Sequence, residues 1–347
     1  MEIHQEKIRR GVIDMFRVNM GVKPGERVTV ISDYPNPEQW RTLSPDSLKT
    51  MLLRTLLAKT VSEIGSESLP DCEVSLLTFP SLGRNSVEPT AETAAAMKEA
   101  DVLVMITSFS LTHTAAREAA CRRGTRVASM PRFLPEMFNP GGPMTADYRE
   151  IHEVTRRIAA RITEASAATV KCPAGTNITF SLKGRDGGVD AGIYDKPGAW
   201  GNLPAGEAYV APLEGTAEGR IVVQRGWWAD LGEDMVLTFA GGEVVSVEGG
   251  GPKGCELRSL LSPGRDEGLY WARRNLAELG IGTNPRARRT DITLEAEKIK
   301  GTVHLAIGDG SHMGGRVEAD LHEDFVIPQP TLLLDNEVIM EDGELLF

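Results

Sequence analysis

The chain has 347 residues, of which 41% are hydrophobic and 25% are charged, and it carries a net charge of −11. Its length predicts two domains rather than one core, and its acidic balance argues against nucleic acid as a main partner. No stretch of about 18 apolar residues is present, so no transmembrane helix and no membrane partner are predicted. The N-terminal segment lacks a signal peptide's apolar centre. The widely spaced cysteines are typical of reduced, mostly buried thiols in a cytoplasmic protein; they are Cys72, Cys121, Cys172 and Cys255.

Residues 1–165 alternate short apolar runs with helix-like segments. This alternation predicts an α/β domain with a mostly parallel, doubly wound sheet, whose nearly continuous apolar strands fit burial on both faces. No GxGxxG and no GxxxxGK[ST] motif occurs, so a dinucleotide or P-loop site is not predicted. Strands are predicted at Glu26–Asp33, Cys72–Phe79, Asp101–Ser108 and Thr125–Met130, and helices at Ser47–Ser62, Ala91–Glu99, Thr114–Cys121 and Tyr148–Glu164. His113, at the opening of one helix, either faces a cleft or is an ordinary loop residue.

Residues 166–347 have a different texture, with frequent glycine and valine and alternating strand patterns between tight turns. This pattern predicts an antiparallel, strand-rich α+β domain. One helix is predicted at Gly264–Leu279. It would place Glu278 in the last turn, where a negative charge opposes the helix dipole. That misfit favours a ligand role for Glu278, against the alternative of an exposed residue at a helix end.

Three of the six histidines lie within thirty residues of one another, between Glu295 and Asp324. Neutral imidazole and carboxylate are ligands of zinc, manganese, iron and cobalt. Residues two apart in a strand point to the same side, so His322 and Asp324 can reach one ion. His304, in an alternating apolar strand, is either a core residue or a third ligand. His312, in a glycine-rich loop, is a weaker candidate.

Further carboxylates and cations surround these histidines along the chain. Glu207 follows a turn and is predicted at the entrance of a strand. Glu214 and Glu218 lie in a glycine-bounded loop, where a solvated surface position is at least equally consistent with the pattern. The nearby basic side chains could bind a substrate carboxylate, but for most of them a solvated face is the preferred interpretation; they are Lys298, Lys300, Arg286, Arg288 and Arg289.

Taken together, these motifs resemble the M29 metallo-aminopeptidase family, the aminopeptidase T or AmpS-like group. The matching segments, in chain order, are GVKPGERVTVISD, AGTNITFSLKGR, NLPAGEAYVAPLEGTAEG, NLAELGIGTNP and HLAIG…LHED. They span nearly the whole chain. The resemblance implies an N-terminal α/β domain followed by a strand-rich metal domain. It also implies a homodimer that acts on a peptide or other small-molecule substrate.

The resemblance assigns six metal ligands, among them Glu297, which lies before the HxAxG strand at a slightly different spacing. The other five are Glu207, Glu278, His304, His322 and Asp324. They would bind two divalent ions, zinc, cobalt or manganese, which activate a water that releases N-terminal amino acids. Glu297, or less favourably Glu214, would be the catalytic residue that carries the proton to the leaving amine. The main prediction is therefore a metal-dependent hydrolase.

A second group resembles the M29 proteins in scaffold: the 2,5-dihydroxypyridine 5,6-dioxygenases, which use one non-haem iron. Their similar length favours this group, and the tyrosine expected soon after the HxAxG histidine of M29 proteins is absent here. The group is expected to have histidine where this chain has Glu278, which favours the hydrolase. The alternative is thus an Fe(II) ring-cleaving dioxygenase whose triad is His304, His322 and Asp324. A binding protein with a structural histidine cluster is a third interpretation.

Overall fold

The computed structural model describes residues 3–262 and 267–347, and the chain divides into two compact units. The first comprises Met1–Arg149 and Gly192–Ala205, and the second comprises Glu150–Ala191 and Gly206–Phe347. The predicted boundary near residue 165 differs from this division. Most of the helix before that boundary belongs to the second unit, and a later segment of chain returns to the first.

Nine α-helices lie within the described residues: α1 (Gln5–Asp14), α2 (Gln39–Thr42), α3 (Pro45–Ser68), α4 (Ala91–Glu99), α5 (Ala115–Arg122), α6 (Tyr148–Glu164), α7 (Gly251–Leu260), α8 (Glu267–Arg274) and α9 (Thr293–Ala296). A π-helical turn (Met15–Asn19) and three 3₁₀ turns (Pro135–Phe138, Pro143–Thr145 and Ser311–Met313) accompany them. The strands of the first half are β1 (Arg27–Tyr34), β2 (Glu73–Pro80), β3 (Val102–Met105) and β4 (Arg126–Ser129). Those from β5 to β11 are β5 (Ala167–Lys171), β6 (Asn177–Ser181), β7 (Gly188–Asp190), β8 (Trp200–Asn202), β9 (Glu207–Val210), β10 (Glu218–Val223) and β11 (Met235–Ala240). The rest are β12 (Glu243–Gly249), β13 (Leu276–Gly282), β14 (Thr302–Gly308), β15 (His322–Pro328), β16 (Thr331–Leu334), β17 (Glu337–Glu341) and β18 (Glu344–Leu345).

The first unit contains a five-stranded parallel sheet in the order β2-β1-β3-β4-β8. Three helices of this unit begin at N-cap residues: the side chains of Ser44, Thr90 and Thr114 each accept a backbone hydrogen bond from the first turn of the helix. The predicted α/β fold class is confirmed here. Strand β2 lies at an edge and is mostly exposed or half-buried, unlike the fully buried β3 and β4.

The second unit consists of two antiparallel sheets that share one hydrophobic core. An eight-stranded sheet has the order β12-β11-β10-β6-β5-β16-β17-β18, and a five-stranded sheet has the order β15-β14-β13-β9-β7. Phe180 and Leu237 from the first sheet and Leu305 and Phe325 from the second lie in the same buried cluster, joined by Ile158 of α6. The predicted strand-rich C-terminal region is confirmed.

The predicted helix at Gly264–Leu279 is wrong at its C-terminal end. Residues 264–266 lie outside the described residues, α8 ends at Arg274, and β13 begins at Leu276. Strand β13 pairs with β9 on one side and β14 on the other, and all seven of its residues are buried. Glu278 therefore lies within a central strand, and the argument from the helix dipole does not apply.

Two smaller expectations concern the cysteines and membranes. All four cysteines are unpaired, but Cys255 is exposed and the other three are only half-buried, so the expectation of mostly buried thiols is wrong. None of the helices described here combines the length and the hydropathy needed to cross a bilayer.

Candidate metal centre

The five-stranded antiparallel sheet of the second unit places apolar and ionisable side chains on opposite faces. Residues paired across antiparallel strands share a face, and successive residues alternate between faces. One row of paired residues belongs to the hydrophobic core: Leu279, Leu305 and Phe325. The next row lies on the opposite face: Glu278, Ala306 and Asp324. Hydrophobic alternation in β13, β14 and β15 thus directs carboxylates to a single surface of the sheet.

The same register brings the remaining strand-borne candidates to this polar face. His304 lies two residues before Ala306, and it pairs with Gly280. Glu207 pairs with Gly282 of the same strand, while His322 pairs with Gly308. Glu297 comes from elsewhere, directly after the short helix α9. The structure therefore assembles all six predicted ligand residues, which we call the polar cluster: Glu207, Glu278, Glu297, His304, His322 and Asp324.

The ligand atoms of the polar cluster form two overlapping groups within 4.8 Å: Glu207, Glu278 and His304, and Glu278, His322 and Asp324. In the first, His304 Nε2 lies 3.3 Å from Glu278 Oε1 and 3.4 Å from Glu207 Oε2. In the second, His322 Nε2 lies 3.1 Å from Glu278 Oε2 and 3.4 Å from Asp324 Oδ1. Glu278 belongs to both groups, one oxygen to each.

His322 has the hydrogen bonding expected of a metal ligand. Its Nδ1 donates to the backbone oxygen of Asp309 at 2.7 Å, which leaves Nε2 directed at the carboxylates. Ligating histidines are usually held by such a bond through their other ring nitrogen. The Asp309 carboxylate contacts Ser311 Oγ and His312 Nδ1, both at 2.8 Å. His312, whose ring lies 5.2 Å from that of His322, thus supports the loop beside the cluster.

Three buried polar atoms of the cluster form no well-aligned hydrogen bond among the described residues: His304 Nδ1, and Glu207 Oε2 and Asp324 Oδ1, which each lie 3.4 Å from an imidazole nitrogen. A buried oxygen without a partner is costly, and such atoms in a folded protein call for an explanation. A divalent cation would coordinate Asp324 Oδ1 together with Glu278 and His322, so the residues present fit a metal ion. His304 lacks the second hydrogen bond that His322 has, which makes it the less well-oriented of the two imidazoles.

Lys298 is a buried cation that contacts the polar cluster. A solvated face was the preferred interpretation for most of the five basic residues that include Lys298, but the side chain of Lys298 is only 1% exposed. Its Nζ lies 2.5 Å from Glu207 Oε1 and 3.1 Å from Glu297 Oε2. The backbone explains this position, because Asn284 donates to the Lys298 oxygen and so ties α9 to the end of β13. An alternation pattern in sequence carries no signal for this contact, since Lys298 lies outside any strand.

The proximity of these charges shifts the pKa of most cluster residues. Burial lowers the affinity of His304 for a proton, but Glu278 and Glu207 outweigh it and raise its pKa to about 9. The pKa of His322 is raised well above its ordinary value, burial being outweighed by Asp324 and Glu278. Burial, reinforced by Asp324, raises the pKa of Glu297 to about 8.

These pKa values predict how the stabilisation by a metal depends on pH. Folded His304 has a pKa of about 9 against an ordinary value of 6.5, so its protonation fully stabilises the metal-free protein below pH 6.5. That contribution fades as the pH rises to about 9, whereas a divalent ion on Glu278 binds more tightly once the neighbouring imidazole of His304 is neutral and no longer repels it. We expect the rise in Tm on adding a divalent metal to increase from pH 6.5 to 9, as measured by calorimetry. A metal-induced rise in Tm that shrinks over this range would contradict the assignment.

Glu214, the second predicted catalytic residue, is engaged elsewhere. Its Oε2 lies 2.5 Å from Arg185 Nη2, and its Oε1 accepts a bond of 2.6 Å from the Arg316 backbone N–H. Burial alone would raise its pKa, but these two partners lower it. A carboxylate with both oxygens occupied and a lowered pKa is poorly suited to carry a proton, and the structure gives it the role of holding the loop before β15.

Comparison with known proteins identifies the family. The family model for 2,5-dihydroxypyridine 5,6-dioxygenase, NicX, matches residues 12–347. The chain belongs to the NicX family. The 2,5-dihydroxypyridine 5,6-dioxygenase of Pseudomonas putida KT2440 is 23% identical over 268 residues, which cover 72% of this chain and 72% of that protein.

Two solved structures have the same fold as this NicX-family chain. The structure of the 2,5-dihydroxypyridine dioxygenase from P. putida KT2440 aligns with a TM-score of 0.75 and 18% identity, and covers 99% of this chain and 98% of its own. Wild-type AmpT from Thermus thermophilus aligns with a TM-score of 0.64 and 14% identity, and covers 99% of each chain. At these identities the alignments establish the shared fold alone.

The prediction of a hydrolase that acts as a metallo-aminopeptidase is wrong, because the NicX model covers almost the entire chain, including the polar cluster. The resemblance to M29 proteins reflected a fold that both groups share. The carboxylate-rich ligand set does not indicate a hydrolase, for a physical reason. Two of the four carboxylates, Glu207 and Glu297, are paired with Lys298, so the number of acidic residues overstates what is available to metal ions.

Proposed function

We propose that this protein is a mononuclear, non-haem iron(II) dioxygenase that opens the ring of a dihydroxylated pyridine. The observation that carries the proposal is the match to the NicX model, which includes every residue of the polar cluster. The named activity of the P. putida relative supplies the substrate class, 2,5-dihydroxypyridine. Fold likeness alone would not distinguish this activity from others on the same scaffold.

Glu278, His322 and Asp324 would hold the iron, because their ligand atoms lie together and His322 is already oriented by a backbone oxygen. Imidazole and carboxylate ligands suit this ion. When bound, iron(II) supplies the redox chemistry with dioxygen that amino-acid side chains lack. The alternative predicted from the sequence had His304 in place of Glu278. In the structure His304 groups with Glu207, and we assign it to hold the second oxygen of Glu278 in position.

Glu297 is the residue we assign to proton exchange with a ring hydroxyl. Its pKa of about 8 lies close to neutral pH, where a general acid or base works best. Only 12% of its side chain is exposed, and the charge of the proposed ligand Asp324 contributes to the shift. Glu297 thus keeps a proposed role in proton transfer, but its partner is a ring hydroxyl and not the leaving amine of a peptide.

The proposal is tested by oxygen uptake with 2,5-dihydroxypyridine. Protein purified without oxygen or chelator and loaded with Fe(II) is expected to consume one O₂ for each ring opened, because both oxygen atoms enter the product of a dioxygenase. The ring's ultraviolet absorbance should disappear in parallel with oxygen uptake. Zinc-loaded protein should be inactive, since zinc has no redox chemistry.

Two controls separate this activity from others. Aminoacyl anilides are offered to the same preparation, and no cleavage is expected with either metal. Hydroquinone, which has the two hydroxyls but no ring nitrogen, tests whether the pyridine is required. Iron-loaded, folded protein that consumes no oxygen with any dihydroxylated pyridine would contradict the proposed function.

A further inference from the structure

A buried ammonium group lies within the polar cluster. Lys298 Nζ contacts one oxygen of Glu207 and one of Glu297, and its side chain is among the largest of the described residues that are almost fully buried. Glu207 is itself 8% exposed, and its other oxygen, Oε2, lies 3.4 Å from His304 Nε2 without a well-aligned hydrogen bond among the described residues. Lysine is almost never fully buried unless it is paired, so this position reflects a specific electrostatic requirement.

We infer that Lys298 occupies the place of a second metal ion and so limits the polar cluster to one divalent cation, held by Glu278, His322 and Asp324. In this arrangement Glu207 and Glu297 bind the ammonium group instead of a metal. The inference deepens the proposed function, and it relies on that function only in taking the polar cluster as a metal site.

The geometry supports this assignment at the second group of ligand atoms. Glu207, Glu278 and His304 have ligand atoms close enough to hold an ion, so the sheet alone would permit a second site. An ion there would share the Glu207 carboxylate with the ammonium group, whose nitrogen already lies 2.5 Å from Oε1. Two cations on one carboxylate repel each other strongly where water does not screen them.

Removal of the ammonium group should open this place to a second ion. Glu207 would then lack its paired cation, and its ligand atom already lies with those of Glu278 and His304.

The test is the number of metal ions per chain. Wild-type protein titrated with zinc and then desalted should contain one ion per chain by elemental analysis, whereas Lys298→Met should contain two. Loading with cobalt provides a second readout. In Lys298→Met the two ions would share the Glu278 carboxylate and should show magnetic coupling by electron paramagnetic resonance, whereas the wild type should show none. Lys300→Met is the matched control: Lys300 lies two residues further on and is exposed, so this variant should still contain one ion.

Two results would overturn the inference: two ions in the wild type, or one ion in folded Lys298→Met. If Lys298→Met does not fold, Lys298→Gln is measured in the same way, and the wild-type count remains decisive. The count is made with redox-inert zinc, so it does not depend on dioxygenase activity. A wild type with one ion and no oxygen uptake would sink the proposed function while leaving the inference intact.

Discussion

His322→Ala is expected to abolish metal retention and oxygen uptake while leaving the fold largely intact. His322 supplies a nitrogen next to Glu278 and Asp324, and it is the imidazole that the Asp309 backbone oxygen orients. Loss of a residue that hydrogen-bonds to a metal ligand already lowers metal affinity by about 10–100-fold, so loss of the ligand itself should lower it by more than the upper end of that range. The fold should lose only about 1 kcal/mol from the missing hydrogen bond, because the residue lies at the first position of β15.

The measurement is iron content after desalting, followed by the oxygen-uptake assay and calorimetry on the same samples. His152→Ala provides the matched control, because His152 lies on α6 and belongs to neither group of ligand atoms. It should retain both iron and activity. Folded His322→Ala that keeps a full complement of iron and full activity would remove His322 from the site.

Elements with strong local signals were predictable from the sequence. Helix α6 spans the predicted residues Tyr148–Glu164, because its apolar periodicity is set by neighbours within one or two turns. Strand β13 was not predictable in this way. Its partners are β9, about seventy residues earlier in the chain, and β14, and these pairings override the local preference of LAELGIG for helix.

The residues of the polar cluster and its surroundings likewise differ in how far their positions could be predicted from local sequence. The pair His322 and Asp324 follows from strand alternation alone, and the structure places both on one face of the sheet. Lys298 could not be placed, because its burial depends on a contact of α9 with the end of β13 and on two glutamates from distant segments. The choice between hydrolase and dioxygenase failed for a related reason: residue types alone do not reveal which carboxylates another cation already occupies.

Gly280→Ala is expected to displace His304 and weaken the metal site. A Cβ built on Gly280 would lie 2.0 Å from His304 Nε2, far inside van der Waals contact. The imidazole is only 1% exposed and cannot swing into solvent. Overpacking of this kind costs about 1–3 kcal/mol. Because Nε2 also contacts Glu278 and Glu207, its displacement should lower the rate of ring opening by roughly 100-fold. Unfolding free energy, iron affinity and kcat are measured together.

Gly232→Ala is the matched control, because no heavy atom of the described residues other than its chain neighbours lies within 4 Å of the added Cβ. Neither glycine has a positive φ angle, so both accept alanine without backbone strain and the comparison isolates the steric contact with His304. The double variant Gly280→Ala/His304→Ala extends the test, since removal of the imidazole makes room for the new methyl group. In that background Gly280→Ala should cost less than about 0.5 kcal/mol more than His304→Ala alone. An equal cost in both backgrounds would show that the contact with His304 is not what Gly280 preserves.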